Sequence, residues 1–354
     1  METKIFDLST PESSTSLLKD AAKIIINGGL VVFPTETVYG LGADATNPEA
    51  TAKIYTAKGR PSDNPLIIHI ADPHDVERYA HTNSVYYFLA EHFMPGPLTV
   101  ILPAKDTVPA TTRGGLETVA VRCPENSIAR ELIRLADVAI AAPSANLSGS
   151  PSPTTFDYAY ADMNGRVDAI INGGDCDFGL ESTIVSLNDD NSLTLLRPGR
   201  ITKEDFESIG LEVKIANAVT ASLKDGETAI SPGMKYKHYA PASPLVLLDG
   251  DEKDILNFLI SEQKSKNCAI ICYDEDIKHL ENKLLLPIGK KDDLASHGKL
   301  LFARLRQCDR ISPEIIYAPL PQKNGLGLAL YNRMIRAAAH TVLKIEKDDF
   351  MKGV

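Results

Sequence analysis

The chain has 354 residues, enough for two domains of ordinary size, and its 44% apolar and 24% charged content is that of a globular protein. The longest apolar runs, such as DVAIAAPSA, fall far short of a membrane span, and the polar opening METKIFDLSTPESSTS lacks the basic region and apolar core of a secretory leader. Up to Glu212 the chain holds 16 Lys and Arg against 29 Asp and Glu, while the remainder holds 21 against 18, so the front half is unsuited to unspecific binding of phosphate backbones. Five cysteines, at 123, 176, 268, 272 and 308, form no C-x-x-C pair and are odd in number, which fits a reduced, cytoplasmic setting.

Elements follow in chain order. GLVVFP reads as a strand. NPEATAKIYTAK reads as a helix with Asn47 as its cap and Pro48 in its first turn. Next come NPLIIHI as a strand, VYYFLAEHF as a helix, PGPLTVILPA and VAVRCP as strands, and SIARELIRLAD as a helix. DVAIAAPSANLSG is a strand running into a polar loop. RVDAIINGG, STIVSL and SLTLLRPG are further strands, the last two joined through NDDNS. This order predicts a mixed sheet with helices packed on it. Between about 213 and 243 the pattern loosens into ETAISPGMKYKHYAPASP, read as a linker. Beyond it, PLVLLDG, DILNFLISEQK, CAIICYD, LLLPIG, LASHGKLLFARLRQCD, EIIYAPL and GLALYNRMIRAAA alternate strand and helix as a small parallel α/β domain does.

The stretch KGRPSDNPL, 58–66, sets Lys58 and Arg60 on either side of a glycine able to turn the chain, with Asn64 before a second proline. Two readings stand: a helix-end lysine with a solvated arginine, or a phosphate clamp in which Arg60 forks onto oxygens beside a point charge. PTETVYGLGADA carries Gly40, Gly42 and Ala45 in a loose likeness of a dinucleotide fingerprint. The glycines lie too far from the strand and open no helix, so that assignment fails. Thr35, Glu36 and Thr37 stand at a strand end, either as turn caps or at the place where α/β sheets hold ligands. His69 sits inside an apolar strand, as core residue or ligand contact. Ser144, Asn146 and Ser148 in PSANLSG form a turn or a set of donors for an anion, and no G-x-S-x-G marks either serine as a nucleophile. DCDFGLE is an acidic loop or a metal site. A Walker phosphate loop, an H-E-x-x-H helix and a cysteine–histidine zinc pattern are absent from the sequence.

Taken together, FPTETVYGLG, KGRPSDNPLIIH, MPGPLTVIL, VAVRCP, PSANLSG, ESTIV and LLRPG resemble the YrdC-type domain of threonylcarbamoyl-adenylate synthases, in that family's order over residues 10–210. SPGMKYKHYAPASP resembles the linker of its longer, two-domain members. The resemblance implies a catalytic domain over 1–212 built on a twisted mixed sheet with helices, a linker or lid over 213–243, and a Rossmann-like parallel α/β domain over 244–354. It implies that L-threonine, bicarbonate or carbon dioxide, and ATP with Mg²⁺ give threonylcarbamoyl-AMP and pyrophosphate. The product would pass to a tRNA threonylcarbamoyl-transferase complex acting at position 37.

By the same resemblance, Lys58 and Arg60 are catalytic and bind ATP together with Asn64, Thr118, Ser144, Asn146, Ser152, Arg197 and Tyr239. Threonine falls to Thr37, His69, Arg122, Ala142 (through its backbone) and Ser182. Tyr239 would close over the nucleotide as part of a lid. The contrasting reading is an RNA-binding or regulatory protein on the same fold, which threonine-dependent release of pyrophosphate separates from the enzyme. A carbamoyl-transfer enzyme with a YrdC-type domain is a third reading, weakened by the missing zinc-spaced cysteines and by the length.

Overall fold

The computed structural model describes residues 2–8, 14–221, 239–281 and 284–346. These fall into two units, Met1–Ser148 with Ser152–Tyr236, and Gly149–Pro151 with Lys237–Val354. The first holds an 11-stranded sheet in the order Lys4–Asp7, Ala169–Asn172, Val31–Phe33, Gly40–Asp44, Ile140–Ala141, Ile67–His69, Thr118–Arg122, Leu98–Pro103, Thr183–Leu187, Leu193–Arg197, Val213–Ile215. Parallel and antiparallel pairs are mixed across it: two parallel pairs at the Lys4–Asp7 edge, three antiparallel pairs next, and alternating pairs from Ile67–His69 onward. This is the mixed α/β sheet expected from the sequence. Val213–Ile215, inside the stretch read as linker, pairs in parallel with Leu193–Leu195.

One face of this sheet is covered by the helices Ser14–Ile26 and Ser127–Ala136. Leu18, Ala22 and Ile25 of the first and Leu132 and Ile133 of the second meet Val31, Phe33, Ile140 and Ile171 in one apolar cluster. Each fully buried aliphatic or aromatic side chain there contributes roughly 1.5–3 kcal/mol of transfer free energy.

Local chemistry sets the helix that leads to the site. Asn47 Oδ1 accepts from the Ala50 amide at 3.0 Å, Pro48 occupies the first turn, and the helix runs Pro48–Lys58. Gly59 ends it with φ at 63°, a left-handed cap that a side chain would strain. The strand Gly40–Asp44, hidden in a glycine-rich stretch, needs its glycine for space. A Cβ on Gly42 would lie 2.7 Å from Ile140 Cγ2 and from Phe33 Cε1.

The second unit carries a 5-stranded sheet in the order Leu285–Pro287, Cys268–Cys272, Ile315–Pro319, Leu245–Asp249, Val342–Lys344, with every pair parallel. Its helices are Glu252–Ser265, Leu294–Ile311 and Gly325–Ala337. The strand Val342–Lys344 was not legible in the sequence; the seven strands and helices before it were.

Gly199 gives a test of the turn after Leu193–Arg197. A Cβ there would meet the Thr183 amide nitrogen at 2.5 Å and the Glu181 carbonyl at 2.7 Å, so backbone rather than a movable side chain must yield. Gly199→Ala is expected to lower stability by about 1–3 kcal/mol, read as a drop in the thermal unfolding midpoint; an unchanged midpoint would show that the turn yields freely.

Candidate active site

The C-terminal end of the helix Pro48–Lys58 and the loop after Ile140–Ala141 meet through one side chain. Lys58 is 2% exposed, and its ammonium donates to the carbonyls of Ser144 and Asn146 at 2.5 Å each. The Ser148 amide returns a bond to the Lys58 carbonyl at 2.9 Å. Ser144 Oγ donates to Asn146 Oδ1 at 2.5 Å, and Ser144 also bridges to Gly40. Lys58, Ser144 and Asn146, far apart in sequence, therefore occupy one place. Arg60 lies two residues on, half-buried, donating to the Pro65 carbonyl at 3.3 Å. Asn64 closes the same turn. It is buried, and its Oδ1 has no hydrogen-bond partner among the described residues.

A second group forms where two parallel strands end. Ile67–His69 and Thr118–Arg122 pair in register, with His69 opposite Arg122, and Thr99 faces Arg122 from the antiparallel neighbour. Such carboxyl ends are where α/β sheets expose ligand-binding groups. Arg122 Nη2 donates to Glu36 Oε1 at 2.6 Å, both side chains being buried. The Arg122 Nε has no partner among the described residues, and neither has His69 Nδ1. Burial, with the Arg122 charge adding to it, holds the His69 pKa down to about 3, so the ring is neutral near pH 7.

Beside them, Arg197 donates through Nε to the Ser182 carbonyl and through Nη2 to Ser182 Oγ, both at 3.0 Å. Ser182 Oγ also lies 2.7 Å from Thr99 Oγ1. Ser152 Oγ donates to Glu181 Oε1 at 2.6 Å, one residue before Ser182. Thr37 Oγ1 is 2.8 Å from Thr35 Oγ1, and the Ala142 amide donates to the Ile67 carbonyl at 2.9 Å, tying the strand that precedes the Ser144 loop to that of His69. The residues expected on the nucleotide and on threonine thus meet directly at Arg197 and Ser182.

Two expected residues are not brought to these groups within the first unit. Thr118 opens its strand four residues before Arg122, about 13 Å along an extended chain. Tyr239 belongs to the second unit, where its ring stacks on Phe302 with centroids 5.0 Å apart. The central part of the segment read as a lid, 222–238, lies outside the described residues. Conversely, Thr99, Glu181 and the pairing role of Glu36 were missed. Glu36 was visible only as a polar residue at a strand end, and nothing local marked it as the partner of a residue 86 positions away.

Buried cations and hydroxyls gathered from separated loops at the strand ends of a mixed sheet define an α/β protein with a site suited to a small anionic ligand. Residues 23–199 match the family model Sua5_yciO_yrdC, described as telomere recombination, and residues 201–339 match that of the threonylcarbamoyl-AMP synthase C-terminal domain. The chain is 40% identical to the threonylcarbamoyl-AMP synthase of Pyrococcus abyssi over 337 residues, covering 93% of this chain and 96% of that one. It is also 40% identical to the one from Bacillus subtilis over 340 residues, covering 95% and 97%. The crystal structure of P. abyssi Sua5 complexed with L-threonine superposes with a TM-score of 0.89 at 38% identity, over 97% of this chain and 100% of that chain. The chain belongs to the threonylcarbamoyl-AMP synthase family, in its two-domain form.

The state of His69 has a consequence for stability. Its imidazole takes a proton near pH 6.5 once unfolded but only near pH 3 when native. Unfolding therefore takes up a proton between those values, and native stability falls as pH drops through 6.5, by up to ~1.4 kcal/mol per pH unit. His69→Asn is expected to remove that share of the acid sensitivity. The difference in unfolding free energy between parent and variant should be flat above pH 7 and change steadily from 6.5 to 4; a constant difference would show that the native ring is protonated like a free one.

Proposed function

We propose that this site joins L-threonine, carbon dioxide from bicarbonate, and ATP into threonylcarbamoyl-AMP, releasing pyrophosphate. The observation that carries the reading is the Lys58 ammonium bound to the Ser144 and Asn146 carbonyls, which makes one wall out of the two loops expected to hold the triphosphate.

The threonine amine, as free base, forms a bond to carbon dioxide and loses a proton to solvent. The resulting carbamate oxygen attacks the α-phosphorus of ATP, and the bond from that phosphorus to the bridging oxygen of pyrophosphate breaks. Such an in-line displacement needs the triphosphate held still and its charge compensated, the part of Lys58 and Arg60 with Asn64, Ser144 and Asn146 beside them. Arg122 takes the threonine carboxylate. Neutral His69, with Thr37 and Ser182, offers partners for the hydroxyl and amine, and the Ala142 backbone lines the same pocket. A P. abyssi relative has been crystallised in complex with L-threonine, which supports threonine as the ligand.

Ser152 and Arg197 set the edge of the nucleotide pocket, with Thr118 and Tyr239 further contacts as the triphosphate and base are seated. Mg²⁺ would enter with the ATP phosphates, where it would neutralise charge. Among the described residues no group of three or more His, Cys, Asp or Glu side chains gathers to hold a metal. The product passes to a tRNA threonylcarbamoyl-transferase. A cytoplasmic place suits the five free, buried thiols, and no described helix is long and apolar enough to cross a membrane.

Incubation with ATP, threonine and bicarbonate, omitting each in turn while following pyrophosphate, tests the reaction; release that ignores threonine would overturn it. Arg60→Ala is expected to lose ATP binding with the fold intact. Arg122→Ala is expected to raise the threonine KM roughly 10- to 100-fold and leave the ATP KM nearly unchanged. A selective loss of ATP binding in Arg122→Ala would show the two pockets to be exchanged.

A further inference from the structure

The Arg122 guanidinium is only partly satisfied. Glu36 occupies Nη2, while Nε stays buried without a partner among the described residues. An ion pair kept only for stability would be expected to use up its buried donors, because an unmet one is costly. Glu36 is itself fixed from other directions. Its second carboxylate oxygen accepts from the Asn126 amide at 3.4 Å, and its backbone carbonyl accepts from the Phe178 amide at 2.9 Å. The carboxylate is therefore the rigid partner, and it decides which edge of the guanidinium is turned to a ligand. The neighbouring imidazole is neutral and adds no positive charge to the pocket.

Resting on the reading of Arg122 as the carboxylate-binding residue, we propose that Glu36 is a positioning and specificity residue of the amino-acid pocket. It holds Arg122 so that its Nε edge receives the substrate carboxylate, and its own negative charge makes the pocket select a zwitterion over a simple anion of the same shape. A lone buried arginine would welcome any small carboxylate. Paired with Glu36 it gains less from a bare anion, and the ammonium of an α-amino acid is drawn to the carboxylate side.

The test uses the full chain in calorimetry with two probes: L-threonine, and the 2,3-dihydroxybutanoate of matching configuration, in which a hydroxyl replaces the ammonium. The parent is expected to prefer threonine by about tenfold or more, and Glu36→Gln to weaken threonine by about tenfold while the preference falls below about threefold. Glu36→Asp, which keeps the charge, should restore the preference, and ATP affinity should hold in both variants. Threonine binding unchanged in Glu36→Gln, or threonine and ATP lost together, would overturn the assignment. Should neither variant fold, the parent still decides: equal affinity for the two probes refutes charge selection by Glu36. A parent that binds ATP but neither probe would instead sink the reading of the pocket as an amino-acid site.

Discussion

The structure turns on a lysine that has left water. An ammonium at 2% exposure is stable only if hydrogen-bond acceptors replace its hydration, and Lys58 finds them in the carbonyls of Ser144 and Asn146. Those carbonyls come from the loop after a two-residue strand, which the Ala145 amide also ties to the Tyr39 carbonyl at 2.8 Å. The charge thus fixes the loop, and the loop fixes the charge. Helix capping upstream serves this end: Asn47 and Gly59 set where the helix starts and stops, and so where its last residue points.

The second group of residues depends on register rather than on a loop. In a parallel pair, residues side by side stay side by side at the strand ends, which sets His69 next to Arg122. The antiparallel neighbour adds Thr99, and Thr99 reaches the Ser182 hydroxyl that Arg197 also holds. A slip of one residue in any of these strands would turn its side chain to the opposite face. The chemistry of this wall is thus secured by sheet pairing across strands that lie far apart in sequence.

That difference explains what could be read in advance. The helix Pro48–Lys58 was legible to its caps because its signals lie within a few residues of one another. The strands around His69, Arg122 and Arg197 showed as apolar runs for the same reason. Gly40–Asp44 was not legible. Its glycines follow from the close approach of Ile140 and Phe33, a fact of packing invisible in a stretch that reads as a turn. Glu36, Glu181 and Thr99 were unreadable as site members because each takes its meaning from a partner tens of residues away. The motif residues themselves were found by likeness to a family, and their partners by geometry.

The acidic balance of the front half bears on how such a site can act on an anion at all. With 29 acidic against 16 basic residues up to Glu212, the far field offers a nucleotide no attraction. Affinity for phosphate has to be local. It would have to come from cations sheltered from the surrounding carboxylates and from salt, and of the cations proposed for the nucleotide, Lys58 and Arg197 are buried and held by named acceptors. An extended nucleic-acid surface relies instead on many exposed cations acting together. The same net charge that works against an RNA-binding face is compatible with a small pocket, where a few desolvated charges at fixed positions outweigh the many that face water.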